Sequence, residues 1–425
     1  AEVVKQTGDG DEKLVNAIAE KAAGLEFDPE WIKVCVEDLV AASKDQGALV
    51  VAGSHLPVEV HVMVYAINIL LKADDSTVNY YALPENLGVA TISDVADMLK
   101  RDKVETLVII GGNPAYDAPG DLNWSELQTK AKQTIRFGYY NDETSELADL
   151  TVAANHYLES WGDGRTIDGV YVPVQPMILP LFEGYTELEF LEIFATGQTS
   201  GDQGYATVRK TFGEISDKSG DVAFNAWLTE GVLENSGFTT IKRATDTAFM
   251  KTLSRIRDRS EVLTVQPVGP EALEVRIAPS SHFYDGTYNN NGWLAETPDP
   301  MTKLTWDNAI SVSPKLAKQL GITPDPILMD KIGQLHMDAN EFSRGKEQAR
   351  MATITVGETT VSGPVHIQPG LADYTVVVNL GFGRRKTGRV GTRLKNRPGS
   401  GNGAGIGFDA YPLTTAISPA VATGA

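Results

Sequence analysis

The chain has 425 residues, 42% hydrophobic and 22% charged, enough for two or three domains with sizeable cores. Thirty-seven basic residues against fifty-six acidic ones give a net charge of −19, which argues against a general nucleic-acid binder, whose surface must neutralise phosphates. A single cysteine, Cys35, leaves no internal disulfide framework, cysteine-rich zinc site or four-cysteine iron–sulfur cluster built from this chain alone.

In chain order, the first strong pattern is a helical face carrying Trp31, Val34, Cys35, Leu39 and Ala42. It makes Cys35 a small core residue rather than a reactive thiol. A short apolar β-type run follows at 48–52, then an apolar helix at 58–71, hydrophobic almost all round. Residues 78–82 read as the next strand and 93–99 as a short helix with Ser93 as N-cap. TLVII at Thr106–Ile110 is a strand that breaks at GGNPAYDAP. Ser125 and Gln128 have capping-box spacing, so a helix is expected to run to about Lys132. Strands at 134–139 and 150–154 complete the set. Strand starts roughly thirty residues apart match a right-handed βαβ crossover. The expectation is an α/β fold, a mostly parallel sheet with helices on both faces.

After residue 157 the pattern changes. Pro173, Pro176 and Pro180 punctuate the apolar stretch VYVPVQPMILPLF, residues 186–258 read as helices and connectors, and 262–277 as β-type segments. The longest apolar stretches, around 60–71 and 172–182, are too short or too interrupted to span a bilayer. Beyond 305, short β-rich runs recur every ten to twenty residues with one helix at 314–320, as in a small β-barrel. The expected domains are therefore 1–304 and 305–425. The opening AEVVKQTGDG and the closing run of small residues give the expectation of an excised or processed segment.

Walker loops, nucleophile elbows, zinc helices and EF-hand loops are missing from the sequence. The six histidines, His55, His61, His156, His282, His336 and His366, have no ligand spacing. Gly111, Gly112, Asn113 and Pro114 follow a strand, so they lie at the carboxyl edge of the expected sheet, where ligands bind in open α/β folds. The same four residues are also good turn chemistry. Asp142, Glu143, Thr144 and Ser145 follow the next strand and suit a helix cap. Glu159 and Asp163 sit near an aromatic residue and a glycine turn, without the look of a paired acid and base. Arg384, Arg385, Lys386, Arg389, Arg393, Lys395 and Arg397 form a basic, glycine-rich run with no acidic residue. It suits either a phosphate or acidic partner surface, or pairing with the chain's own carboxylates.

Several blocks together resemble one family: VVAGSHLPVEVHVMVYAINILL, TLVIIGGNPAYDAP, YNDETSELADLTVAANHYLESWGDGR, FYDGTYNNNGWLAETPDPMTKLTWDNAISVSP and VHIQPGLADYTVVVNLGFGRRKTGRVG. They look like the later part of the molybdopterin oxidoreductase superfamily, and more closely like the large iron–sulfur subunit of bacterial alternative complex III. The resemblance runs over residues 30–425 and keeps its block order. It implies a Rossmann-like domain followed by a β-barrel domain, corresponding to the third and fourth domains of the superfamily. Gly111, Gly112, Asn113, Pro114, Asp142, Glu143, Thr144, Asn290, Asn291 and Gly292 would line a vestigial pterin-dinucleotide site, with Trp293 starting the connection into the barrel.

The closer branch keeps the fold but has lost the molybdenum cofactor. The resemblance therefore implies no cofactor in this segment, with iron–sulfur clusters in a downstream domain. It implies a scaffold role beside that cluster domain and the other subunits of a membrane-bound respiratory quinol oxidoreductase. The implied location is periplasmic, membrane-associated through partner subunits, with no nucleic acid and no direct span. Two alternatives stand beside it. One is part of a working molybdenum bis-pterin guanine dinucleotide oxidoreductase of the polysulfide reductase kind. The other is a stand-alone nucleotide- or small-molecule-binding protein.

Overall fold

A computed structural model describes residues 2–7, 28–45, 47–56, 58–73, 76–82, 89–198, 203–218, 220–241, 268–322, 350–392 and 406–423. In chain order the helices and strands begin with α1 (Glu2–Thr7), α2 (Pro29–Asp45), α3 (Val58–Leu70), α4 (Ile92–Lys100), β1 (Thr106–Ile110), α5 (Trp124–Gln128), β2 (Gln133–Gly138) and β3 (Leu150–Ala153). Then come β4 (Gly162–Arg165), β5 (Tyr171–Val174), α6 (Glu187–Thr196), α7 (Gln203–Ser216), α8 (Asp221–Glu230), β6 (Glu274–Ala278) and α9 (Gly292–Glu296). The last are β7 (Ile310–Val312), α10 (Pro314–Gln319), β8 (Met351–Val356), β9 (Thr359–Ile367), β10 (Thr375–Asn379) and β11 (Val421–Thr423). Among the described residues no helix is long and apolar enough to cross a membrane.

The chain divides into two compact units. The first takes Ala1–Leu87, Asp163–Pro173 and Arg209–Gln266; the second takes Gly88–Gly162, Val174–Val208 and Pro267–Ala425.

In the first unit, Val3, Val36, Ala48 and Leu71 form a small core joining α1, α2 and α3. The expected strand at 48–52 is not one. Asn68 of α3 holds Val50 from both sides, accepting from its N–H and donating to its carbonyl, both at 2.8 Å. A side-chain amide thus takes the place of a neighbouring strand. The expected strand at 78–82 reduces to isolated bridge residues at Val78 and Tyr81, the latter paired with Thr240. The face carrying Cys35 is also corrected. Trp31 is 67% exposed and Val34 46%, and with Cys35, Leu39 and Leu49 they line a shallow groove. The buried side of α2 is the one carrying Val36. A separate aromatic layer stacks Tyr171 on Trp227 at 4.8 Å and Phe212 on Trp227 at 4.9 Å.

In the second unit, β1, β2 and β3 make an all-parallel sheet in that order. Leu107 on one face packs with Ala96 and Leu99 of α4 and with Trp124 and Leu127 of α5. On the other face Phe137 stacks on Phe190 of α6 at 4.3 Å. Helices therefore cover both faces, but the sheet has three strands and not five. Two local boundaries also move. The N-cap of α4 is Thr91, not Ser93, because Asp94 closes a reciprocal capping box with it. Helix α5 ends at Gln128 and not near Lys132; the Gln128 side chain turns inward, accepting from the Trp124 indole at 3.1 Å and donating to the Thr144 carbonyl at 3.0 Å.

The second sheet is mixed and curled, in the order β11-β6-β10-β7-β9-β8. It draws β6 from before residue 304 and its other strands from after it. Its end strands β11 and β8 are not paired with each other, so it is a half-barrel where a small β-barrel was expected. Val275, Ile277, Ile310, Val312, Val376 and Val378 meet Leu316 of α10 and Tyr411 in its core. The β-type run at 262–267, the helix pattern after 241, and Arg393, Lys395 and Arg397 lie outside the described residues.

The loop after β10 is threaded closely through this unit. Gly383 has φ +73°, and a Cβ there would stand 2.3 Å from the backbone nitrogen of Asp409. Gly383→Ala combines a left-handed strain of about 1–2 kcal/mol with a backbone clash that no side chain can relieve. The expected result is a clear fall in the urea midpoint; an unchanged midpoint refutes the threading.

Candidate functional site

The site is built from four loops of the second unit: the turns after β1 and β2, the segment before α9, and the segment after β10. The first turn reverses the chain with two consecutive left-handed residues, Gly111 at φ +62° and Gly112 at φ +56°. Only glycine takes that pair without strain. Arg136, in the middle of β2 and buried, donates to the carbonyls of Gly111 at 2.8 Å and Gly112 at 2.6 Å. The same guanidinium forms an ion pair with Asp142 at 2.9 Å. Pro114 opens the helical turn Pro114–Asp117 at its first position, where its missing N–H costs nothing.

The second turn is fastened to the first. Asn113 donates to Glu143 Oε2 at 2.8 Å and accepts from the Thr144 N–H at 3.0 Å and hydroxyl at 2.7 Å. Thr144 Oγ1 accepts in turn from the Ala115 N–H at 3.0 Å. Asp142 caps its own turn, accepting from the N–H and hydroxyl of Ser145 at 2.9 Å each. No helix follows for this segment to cap: only a three-residue 3-10 turn, Ser145–Leu147, comes next, and its N-cap residue Thr144 makes no side-chain capping bond. Asn113, Arg136, Asp142, Glu143, Thr144, Ser145 and Arg384 are all more than nine-tenths buried.

Glu143 is the centre. Besides Asn113 it accepts from the Arg384 guanidinium at 2.8 Å, the Arg385 N–H at 2.7 Å and the Lys386 N–H at 2.9 Å. Burial alone would raise its carboxyl, but the hydrogen bond and charge of Arg384 outweigh it and hold the group down at about 2. Arg384 also donates to the Gly286 carbonyl at 3.0 Å and lies over the Tyr116 ring at 5.1 Å. The start of the basic run is thus folded onto the chain's own carboxylates, with Lys386 reaching Glu146 at 2.6 Å as a second, more exposed pair. Arg385 and Arg389 remain exposed at the surface.

The asparagine cluster serves this loop. Asn289 donates to the Gly381 carbonyl at 2.9 Å, and Asn290 accepts from the Val390 N–H at 2.9 Å. Asn290 also reaches the Tyr140 hydroxyl at 3.4 Å. Asn291 caps α9, which begins at Gly292, and Trp293 is 85% exposed. The ten residues singled out from the sequence therefore gather along one edge of the second unit. Glu159 stands apart, as a local cap whose two oxygens accept from the N–H groups of Leu181 and His156, and Asp163 lies in β4.

Two more carboxyls complete the network. Burial, with Glu143 nearby, pushes Asp409 up to about 7. Burial likewise pushes Asp117 to about 6, opposed by its hydrogen bond from the Asn113 N–H and raised further by Asp285. Sequence reasoning missed Arg136, Asp117 and Asp409. For Arg136 the signal was present: an arginine in mid-strand must find acceptors. For the two aspartates there was no local signal.

A dinucleotide at such an edge needs free N–H donors and cations for its phosphates. Here one Arg384 nitrogen and the Arg385 and Lys386 N–H groups are taken up by Glu143, and Arg136 by Asp142 and the glycine carbonyls. These donors face the chain's own carboxylates and carbonyls, while the Arg385 and Arg389 side chains stay exposed.

The second unit is thus a mixed α/β structure, a small parallel sheet and a curled mixed sheet with their loops locked in one polar network. No protein-family model matches the chain, and no curated protein matches it. Among solved structures it is similar to acetylene hydratase from Pelobacter acetylenicus, with 10% sequence identity and a TM-score of 0.47, over 75% of this chain and 42% of that one. The chain spans less than half the length of that structure.

Proposed function

We propose that this chain is a non-catalytic, molybdopterin-oxidoreductase-like scaffold segment of an iron–sulfur subunit in a respiratory quinol:electron-acceptor oxidoreductase complex. It holds a cluster-bearing domain and neighbouring subunits in place, on the periplasmic side of a membrane, while electrons travel through clusters outside this segment. The blocks of sequence quoted above motivate the family. The observation that supports the non-catalytic role is the closure of the carboxyl edge by Glu143 and Arg384. A buried carboxylate that accepts from four donors of its own chain occupies the place where a phosphate would need those donors.

The experiment is elemental analysis of the full-length protein from its native source, together with pterin fluorescence after oxidation. The expected result is iron without stoichiometric molybdenum, tungsten or pterin. Two pterins and one metal per chain would overturn the proposal in favour of a working molybdenum or tungsten enzyme. Absence of iron as well would favour a stand-alone binding protein.

A further inference from the structure

One stretch of the second unit has a composition unlike the rest. Between Val174 and Gln198 there is no lysine or arginine, and Glu183 and Glu187 are exposed there. Within it, Met177 is 75% exposed, Ile178 44%, Leu179 85%, Leu181 70% and Phe182 85%. Side chains of this size each carry on the order of 100–200 Å². Together they reach or exceed the roughly 300–600 Å² of the largest apolar patch on a typical monomer. They also approach the roughly 800 Å² that one partner contributes to a standard interface.

This strap is fixed and not a loose end. The Met177 and Ile178 N–H groups both donate to the Leu158 carbonyl, at 2.7 and 3.1 Å. The Leu181 N–H donates to Glu159 Oε1 at 2.8 Å, and Glu159 is itself held by the His156 N–H at 2.7 Å. Pro176 and Pro180 lack N–H groups, so the strap is a poor template for an added β-strand. Whatever covers it must do so through side chains. Exposed Tyr157, beside Leu158, and Tyr139, whose ring lies 5.6 Å from His156, extend the same surface.

The charge decides between occupants. An anionic membrane surface attracts basic segments and would repel this one. A second copy meeting it through the same strap would set carboxylates against carboxylates. We propose that the strap at 176–182 is the docking surface for a different polypeptide, one that offers an apolar cleft rimmed by lysine and arginine. This extends the scaffold reading by naming the surface and the chemistry of its partner.

The test places the photo-cross-linker p-benzoylphenylalanine at Leu179 or Phe182 of the full-length protein in its native host, and identifies the linked peptides by mass spectrometry. The expected result is one adduct, to a segment of another polypeptide whose apolar residues are flanked by lysine or arginine. Glu183→Lys with Glu187→Lys is expected to cut that adduct several-fold, more so at low salt. The same probe at Ile417, a singly exposed residue, is expected to give no such adduct. Links to the chain itself, to a second copy or to lipid would overturn the proposal, as would no adduct or one unaffected by charge reversal. The readout is independent of metal and pterin content, so failure here and failure of the scaffold reading are told apart.

Discussion

Glu143→Ala is expected to destabilise the second unit by about 3–5 kcal/mol, the usual cost of breaking a buried ion pair from one side. The replacement leaves the Arg384 guanidinium buried with its carboxylate gone. It also strips the Arg385 and Lys386 N–H groups and the Asn113 amide of their acceptor, each with its own desolvation cost. Arg384→Met is expected to cost a similar amount, by burying the Glu143 charge alone. Glu143→Gln with Arg384→Met removes both charges, and is expected to recover part of the loss. Urea unfolding of the four proteins measures the energies, and amide exchange over 383–392 reports whether the loop has come away. A single variant within about 0.5 kcal/mol of the parent, with exchange unchanged, would show that the pair does not hold the edge.

Stability is expected to peak on the acid side of neutrality. Asp409 and Asp117 have carboxyls raised to about 7 and 6, so the folded state binds their protons more tightly than the unfolded chain does. As pH rises from about 4 through those values, stability is lost, and above pH 7 the loss is complete. Glu143 acts in the opposite sense. Its carboxyl is lowered to about 2, so its contribution is full above about 4.5 and disappears as pH falls toward 2. The two limbs place the maximum near or just below pH 4, with a fall of up to several kcal/mol by pH 8, since each tenfold change in proton affinity on folding is worth about 1.4 kcal/mol. Asp409→Asn keeps an acceptor for the Tyr411 N–H, now 2.9 Å from Oδ1. It is expected to flatten the upper limb and be more stable than the parent at pH 8, with a smaller gain at pH 5 and little difference near pH 3.5. Urea midpoints across that range measure both effects. A parent protein that grows more stable from pH 5 to 8 would contradict the assignment.

The sequence was most legible where one local signal had no competitor. Helix α3 and the three parallel strands follow from apolar runs, the turn after β1 follows from the glycines that stop that strand, and the β-rich runs after 305 became strands. It misled where a side chain replaced a backbone partner. Asn68 satisfies Val50 and removes the need for a strand, and the Gln128 side chain, at the end of its helix, bonds Trp124 and Thr144. The N-cap of α4 was readable after all, since Thr91 has Asp94 three residues on while Ser93 has Ala96 there. The Cys35 face held only in part, with Leu39 and Ala42 on the core and Trp31 and Val34 exposed, because a run of apolar residues says that something is covered without saying by what. In the site, the glycine turn and the DET segment stood out because each follows a strand. Pairing Glu143 with Arg384 was beyond local reading, since no periodicity connects residues 241 positions apart.

That separation also governs how the protein is made. At translation rates of about 5–20 residues per second, Glu143 leaves the ribosome roughly ten to fifty seconds before Arg384 is added. During that interval the nascent chain carries a bare, hydrated carboxylate at the rim of its first sheet. The rim can seal only once the late loop emerges, so any shortened product ending before residue 384 is left with the lock and without the key.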